Sequence, residues 1–109
     1  APFHSSLMNS ASLSMKDKIN NTDFVEPSPD IISNVTAKAE KNVNNIKSLL
    51  FRQITSRVRW RESVNFMINE KITDFIEIGP GKVLTGLVKK INKTVSTKNI
   101  NYLDDIKND

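Results

Sequence analysis

Glu77-Ile78-Gly79-Pro80-Gly81-Lys82-Val83-Leu84-Thr85-Gly86-Leu87 is the stretch that decides the fold. Before it, Phe75, Ile76 and Ile78 make a short apolar run, read as a strand over Asp74–Ile78. Gly79-Pro80-Gly81 breaks that run sharply. After it, Val83, Leu84, Leu87, Val88 and Ile91 recur at helical spacing. Lys89, Lys90 and Lys93 sit near the end of that helix, where positive charge suits the helix dipole. Strand, tight turn, helix is the signature of an α/β unit.

A phosphate-loop reading of the same stretch fails in detail. The Walker pattern needs Lys-Ser/Thr after its second glycine, and Leu87 follows Gly86. The dinucleotide pattern needs a third glycine where Leu84 stands. A tight strand-to-helix turn is the better explanation, although its free N–H groups could favour an anion.

Further out, a first helix is expected from about Ser6 to Ile19, ended by Asn20-Asn21-Thr22-Asp23. Asp30–Thr36 reads as a short strand through Ile31, Ile32 and Val35. Asn44 or Asn45 is the expected cap of a helix carrying Ile46, Leu49, Leu50 and Ile54. Trp60, Val64, Met67 and Ile68 repeat that spacing in a following helix. Ile100 and Tyr102 are expected to form one last short strand before a polar tail. Two or three strands separated by helices cannot make a well-covered sheet alone. The pattern therefore implies that another segment supplies parallel neighbours.

The 109 residues suffice for one small domain at most. The chain opens Ala1-Pro2-Phe3-His4, without an initiator Met, and is expected to be a piece of a larger protein. No run approaches the ~20 apolar residues needed to cross a bilayer. The absence of cysteine excludes disulfides and cysteine-ligated metal, and fits a reducing cytoplasm. A net charge of +4 permits an acidic partner without choosing one. Arg52, Arg57, Arg59 and Arg61 cluster around Trp60, a group read as a solvated face around an anchoring tryptophan; no nucleic-acid partner is expected.

His4 is the lone histidine, and its side chain alone titrates near neutral pH when unperturbed. By itself it reads as an ordinary loop histidine, and no second His or Cys accompanies it for a metal. Ser5 and Ser6 are too close in sequence to serve as its nucleophile and are better as helix caps. No Gly-x-Ser-x-Gly elbow occurs.

Three segments together resemble one family. Ala1-Pro2-Phe3-His4-Ser5-Ser6-Leu7-Met8 resembles the histidine motif of malonyl-CoA:acyl-carrier-protein transacylases and related polyketide acyltransferase domains. Arg52-Gln53-Ile54 with Val58-Arg59-Trp60 and Ser63-Val64 resembles the family's Arg-Gln-Leu and Val-x-Trp-x-x-Ser-Val segment. Glu77 to Leu87 resembles its Glu-Val/Ile-Gly-Pro-Gly-Lys-Val-Leu-x-Gly-Leu block. The three come in the family's order and span most of the chain.

The resemblance implies an α/β fold: the C-terminal part of an α/β-hydrolase-like large domain, without the nucleophile segment or the ferredoxin-like subdomain. Residues 1–109 would be the C-terminal portion of a single acyltransferase catalytic domain. It implies malonyl transfer from malonyl-CoA to the phosphopantetheine thiol of acyl carrier protein, through an acyl-serine whose serine is outside this chain. His4 would be the catalytic base, and the backbone carbonyl of Gln53 would orient its ring. Phe3 goes with malonyl in related polyketide domains, and Val83 would line the pantetheine channel. No metal and no covalently bound cofactor are implied. The partners would be acyl carrier protein, a CoA thioester and the N-terminal part of the same enzyme, with no membrane. Arg57, Arg59, Arg61, Lys89 and Lys90 are candidates for carrier docking. The rival readings are a polyketide-synthase acyltransferase fragment and a non-catalytic remnant of a split gene.

Overall fold

The computed structural model describes residues 9–107. Their elements run α1 (Asn9–Asn20), β1 (Ile31–Ile32), β2 (Ala39–Glu40), α2 (Val43–Gln53), α3 (Trp60–Asn69), β3 (Asp74–Ile78), α4 (Val83–Ile91), β4 (Ser96–Ile100) and α5 (Leu103–Lys107). The chain divides into two compact units, with the boundary inside α3 between Ser63 and Val64.

In the first unit α1 packs on α2. The helices run antiparallel. The Lys16 ammonium stands 5.7 Å from the Phe51 ring centroid, near the end of α2. The Lys47 ammonium, early in α2, stands 5.1 Å from the ring of Phe24, beyond the end of α1. Ile19, Ile46 and Leu49 are buried, as the helical spacing predicts. The cap of α2 is Asn42, not Asn44 or Asn45: its Oδ1 accepts the Asn45 N–H at 3.0 Å. Ile54 lies just past the helix rather than within it.

The strand expected over Asp30–Thr36 shrinks to Ile31–Ile32, paired antiparallel with Ala39–Glu40. Ser33 ends it. The Ser33 hydroxyl accepts the Val35 N–H, and its carbonyl accepts the Ala37 N–H. Ala37 is buried and holds a left-handed φ of 56°, which closes the turn before the returning strand.

In the second unit β3, α4 and β4 form a βαβ unit. β3 and β4 pair in parallel register from Asp74↔Ser96 to Ile78↔Ile100. β3 and α4 have the bounds predicted from the apolar pattern. β4 does not. It begins at Ser96, ends at Ile100, and Tyr102 instead precedes α5. Val64, Val88 and Val95 are the buried apolar side chains. Phe75 and Glu77 share the face of β3 toward α4, since the Glu77 carboxylate bonds α4. Ile76 and Ile78 alternate to the opposite face, where they are 55% and 80% exposed. Parallel sheets are normally covered on both faces, so this apolar face is open to further structure.

Candidate functional site

Two pieces of backbone carry the residues singled out by sequence, one in each unit. Gln53 is the last residue of α2 and is half-buried. It helps line a cavity of about 70 Å³ with Ile31, Ile32, Asn34, Glu40 and Leu49. Because α1 and α2 are antiparallel, the start of α1 at Asn9 lies at the same end of the pair as Gln53. His4 and Phe3 lie outside the described residues, as do Ser5 and Ser6.

Val83 opens α4 and is 73% exposed. The Gly79–Gly81 turn before it stands at the carboxyl ends of β3 and β4, the position where open α/β sheets hold ligands. Gly79 and Gly81 have φ of 139° and 82°, backbone that other residues rarely adopt. The anion expected at the start of α4 is supplied by the protein itself. Glu77 Oε2 accepts the Leu84 N–H at 3.2 Å, and Oε1 accepts the Thr85 N–H at 2.8 Å and the Thr85 hydroxyl at 2.7 Å. These bonds, the Thr85 hydroxyl first, hold the Glu77 carboxyl below its ordinary pKa. A negative charge already set against the helix start removes the phosphate-cradle reading.

The arginines around Trp60 are not a plain solvated face. Arg57 Nη2 and Arg59 Nε both donate to Glu62 Oε2, each at 2.9 Å. Arg59 first and Arg57 second pull the Glu62 pKa down to about 2. The Trp60 Nε1 is buried and has no acceptor among the described residues. Of the five cations proposed for docking, Arg57 and Arg59 thus serve Glu62, and the Lys89 ammonium donates to the Val95 carbonyl. No ion pair among the described residues involves Arg61 or Lys90.

Sequence reasoning missed the side chains that hold the glycine turn. Besides Glu77 these are Asn99 and Asn101, on and just after β4, both bonded to Gly81. The available signal was Asn-x-Asn closing a strand, which puts both amides on one face. Among the described residues no cluster of His, Cys, Asp or Glu could hold a metal, and no helix is long and apolar enough to cross a membrane.

A βαβ unit whose glycine turn joins β3 to α4, and a helix pair whose second helix ends at Gln53, are each parts of an α/β acyltransferase domain. A structure of acyl-carrier-protein S-malonyltransferase from Bartonella henselae superposes with a TM-score of 0.92 at 38% identity, over 99% of this chain and 34% of that one. The malonyl-CoA:acyl-carrier-protein transacylase of Bacillus subtilis is 46% identical over 88% of this chain, which spans 30% of that protein. A malonyl-transacylase solved with a type II polyketide acyl carrier protein is 34% identical, with a TM-score of 0.88 over 98% of this chain and 35% of that one. No family model matches. Over most of its length the chain is similar to malonyl-CoA:acyl-carrier-protein transacylases, and it spans about a third of the length of these relatives.

Proposed function

We propose that the intact protein containing this chain moves malonyl from malonyl-CoA to the phosphopantetheine thiol of acyl carrier protein. What carries this reading is 46% identity across most of the chain to an enzyme named for that transfer. On this reading residues 1–109 are the C-terminal portion of one acyltransferase domain, and the preceding part of the same enzyme covers the open face at Ile76 and Ile78. A cytoplasmic setting fits a chain without cysteine.

The chemistry needs a hydroxyl nucleophile and a base that accepts its proton. The serine comes from outside these residues. As it attacks the thioester carbonyl, His4 takes the hydroxyl proton at Nε2. The tetrahedral adduct then expels the CoA sulfur, and the imidazolium returns its proton to that sulfur. Malonyl-serine remains. The pantetheine thiol repeats the sequence in reverse, with His4 again accepting and donating one proton. For Nε2 to accept, the imidazole proton must reside on Nδ1 and be held there by an acceptor. The Gln53 carbonyl takes that part. The shared end of α1 and Gln53 supports the pairing, since the chain enters α1 from that end. Phe3 crowds the space for an α-methyl group and favours malonyl, and Val83 lines the path of the thioester arm. Arg61 and Lys90 are the cations left to meet the acidic carrier.

Intact mass spectrometry of the full-length protein tests the reading. Incubation with malonyl-CoA is expected to add one malonyl group, which holo acyl carrier protein then removes. A protein that takes up no malonyl, or does not release it to holo carrier, contradicts it.

A further inference from the structure

Gly81 is held by a closed ring of side-chain amides. Asn99 Nδ2 donates to the Gly81 carbonyl at 2.7 Å. Asn99 Oδ1 accepts from Asn101 Nδ2 at 2.6 Å. Asn101 Oδ1 accepts the Gly81 N–H at 3.0 Å. Both backbone polar groups of one residue are thus tied to one pair of asparagines. The ring is anchored on its far side, where Asp105 Oδ2 accepts the N–H groups of Asn101 and Tyr102 at 2.8 and 3.0 Å. It is steadied near β3 as well, where the Gly79 N–H donates to the Ile100 carbonyl at 2.9 Å.

The location matters. Gly81 and Asn101 are exposed, and hydrogen bonds that compete with water add little to folding. Stability alone is therefore a poor account of a closed ring there. What the ring does fix is direction. Gly81 has a φ of 82° and no Cβ, so its backbone has wide freedom unless it is held. Two residues later Val83 projects at the carboxyl ends of the parallel strands. A small rotation at Gly81 swings Val83 and the start of α4 together.

We infer that Asn99 and Asn101 are positioning residues for the transfer: by holding both polar groups of Gly81 they set where Val83 meets the thioester-bearing arm. The inference rests on the reading that Val83 lines the path of that arm. The two asparagines differ in what they must do. Asn101 offers Gly81 an acceptor, a part aspartate can also play, although aspartate loses the donor to Asn99 Oδ1. Asn99 offers Gly81 a donor, which aspartate cannot; its carboxylate would face the Gly81 carbonyl and repel it.

The test uses the full-length enzyme and steady-state kinetics with malonyl-CoA and holo carrier. Asn99→Ala and Asn101→Ala are expected to raise KM for both thiol carriers about tenfold, with kcat changed by about twofold or less, because binding geometry is lost and proton transfer is not. Asn101→Asp, which keeps the Gly81 acceptor but loses the bond to Asn99, recovers part of the loss, and Asn99→Asp is at least as damaging as Asn99→Ala. Val95→Ala serves as the control: it removes a buried side chain remote from the ring, lowering the melting temperature with KM unchanged. If an alanine variant does not fold, the two aspartate variants decide the matter alone. Unchanged KM in the Asn99 variants, equal effects of the two aspartates, or a KM rise in Val95→Ala overturns the inference while wild type remains active. A wild-type enzyme that takes up no malonyl overturns it together with the functional reading.

Discussion

Glu77 and Thr85, eight residues apart, meet at a single oxygen: Glu77 Oε1 accepts both the backbone N–H of Thr85 and its hydroxyl. The bond pair ties the end of β3 to the first turn of α4 across the glycine turn. Glu77→Ala should leave the Leu84 and Thr85 N–H groups open to water. Amide hydrogen exchange is expected to quicken at those two positions by about tenfold or more, as local opening becomes easier. Glu77→Gln, which retains one acceptor oxygen, should show a smaller change. Unaltered exchange in Glu77→Ala would count against the carboxylate as the cap.

Glu62, Glu77 and Asp105 share one pH signature. Each carboxyl titrates below its ordinary value in the folded protein, Glu62 at about 2 through Arg59 and then Arg57. Asp105 is lowered by the N–H groups of Tyr102 and Asn101. The unfolded chain therefore binds protons first as pH falls. Their contribution is complete above the ordinary carboxylate pKa of about 4 and declines below it, down toward pH 2 for Glu62. Urea midpoints are expected to be flat in this respect from pH 7 to 5 and to fall from pH 4.5 to 2.5. Glu62→Gln should flatten part of that acid limb. A midpoint that rises on acidification contradicts the sign.

Lys71, two residues past the end of α3, has a left-handed φ of 72°. The Ile72 N–H reaches the Met67 carbonyl and the Lys71 N–H reaches Ile68, the bonding of a glycine-type helix stop. Lys71→Gly relieves the strained backbone and is expected to stabilise by about 0.5–1 kcal/mol, less the added freedom of the unfolded chain. Lys71→Val should destabilise. Denaturant midpoints of the three proteins provide the order.

Val64 has no exposed surface. Val64→Ala deletes two methyl groups from the second unit's core and is expected to cost about 1.5–3 kcal/mol, read from urea unfolding. Substitution at Ile78, 80% exposed, with Ala should cost far less in this chain. On the proposal that the preceding part of the protein covers that face, the same Ile78→Ala change should become costly in the full-length protein.

Much of this was legible in residues 74–91, where an apolar strand, two glycines and a helical apolar stripe leave little choice. β4 was legible only at its end, because Ser96-Thr97-Lys98-Asn99 is polar and its pairing comes entirely from β3. The cap of α2 was misplaced because Asn42, Asn44 and Asn45 have identical chemistry, and tertiary packing picks among them. Asp30–Thr36 looked extended by its Ile-Ile-x-x-Val pattern, but the Ser33 hydroxyl competes locally for the backbone and turns it. Of the candidate site, Gln53 and Val83 are proposed through the family resemblance alone. The ring around Gly81 could not be, since it joins residues 18 to 20 positions apart through side-chain amides.

The central claim is that the histidine at position 4 removes the proton from a serine supplied elsewhere in the same enzyme. Rapid-quench acylation of the full-length protein by malonyl-CoA measures that step without carrier protein. His4→Ala is predicted to slow malonyl-serine formation by about 100-fold or more, the scale of general-base loss. Acylation at the wild-type rate in His4→Ala would contradict it.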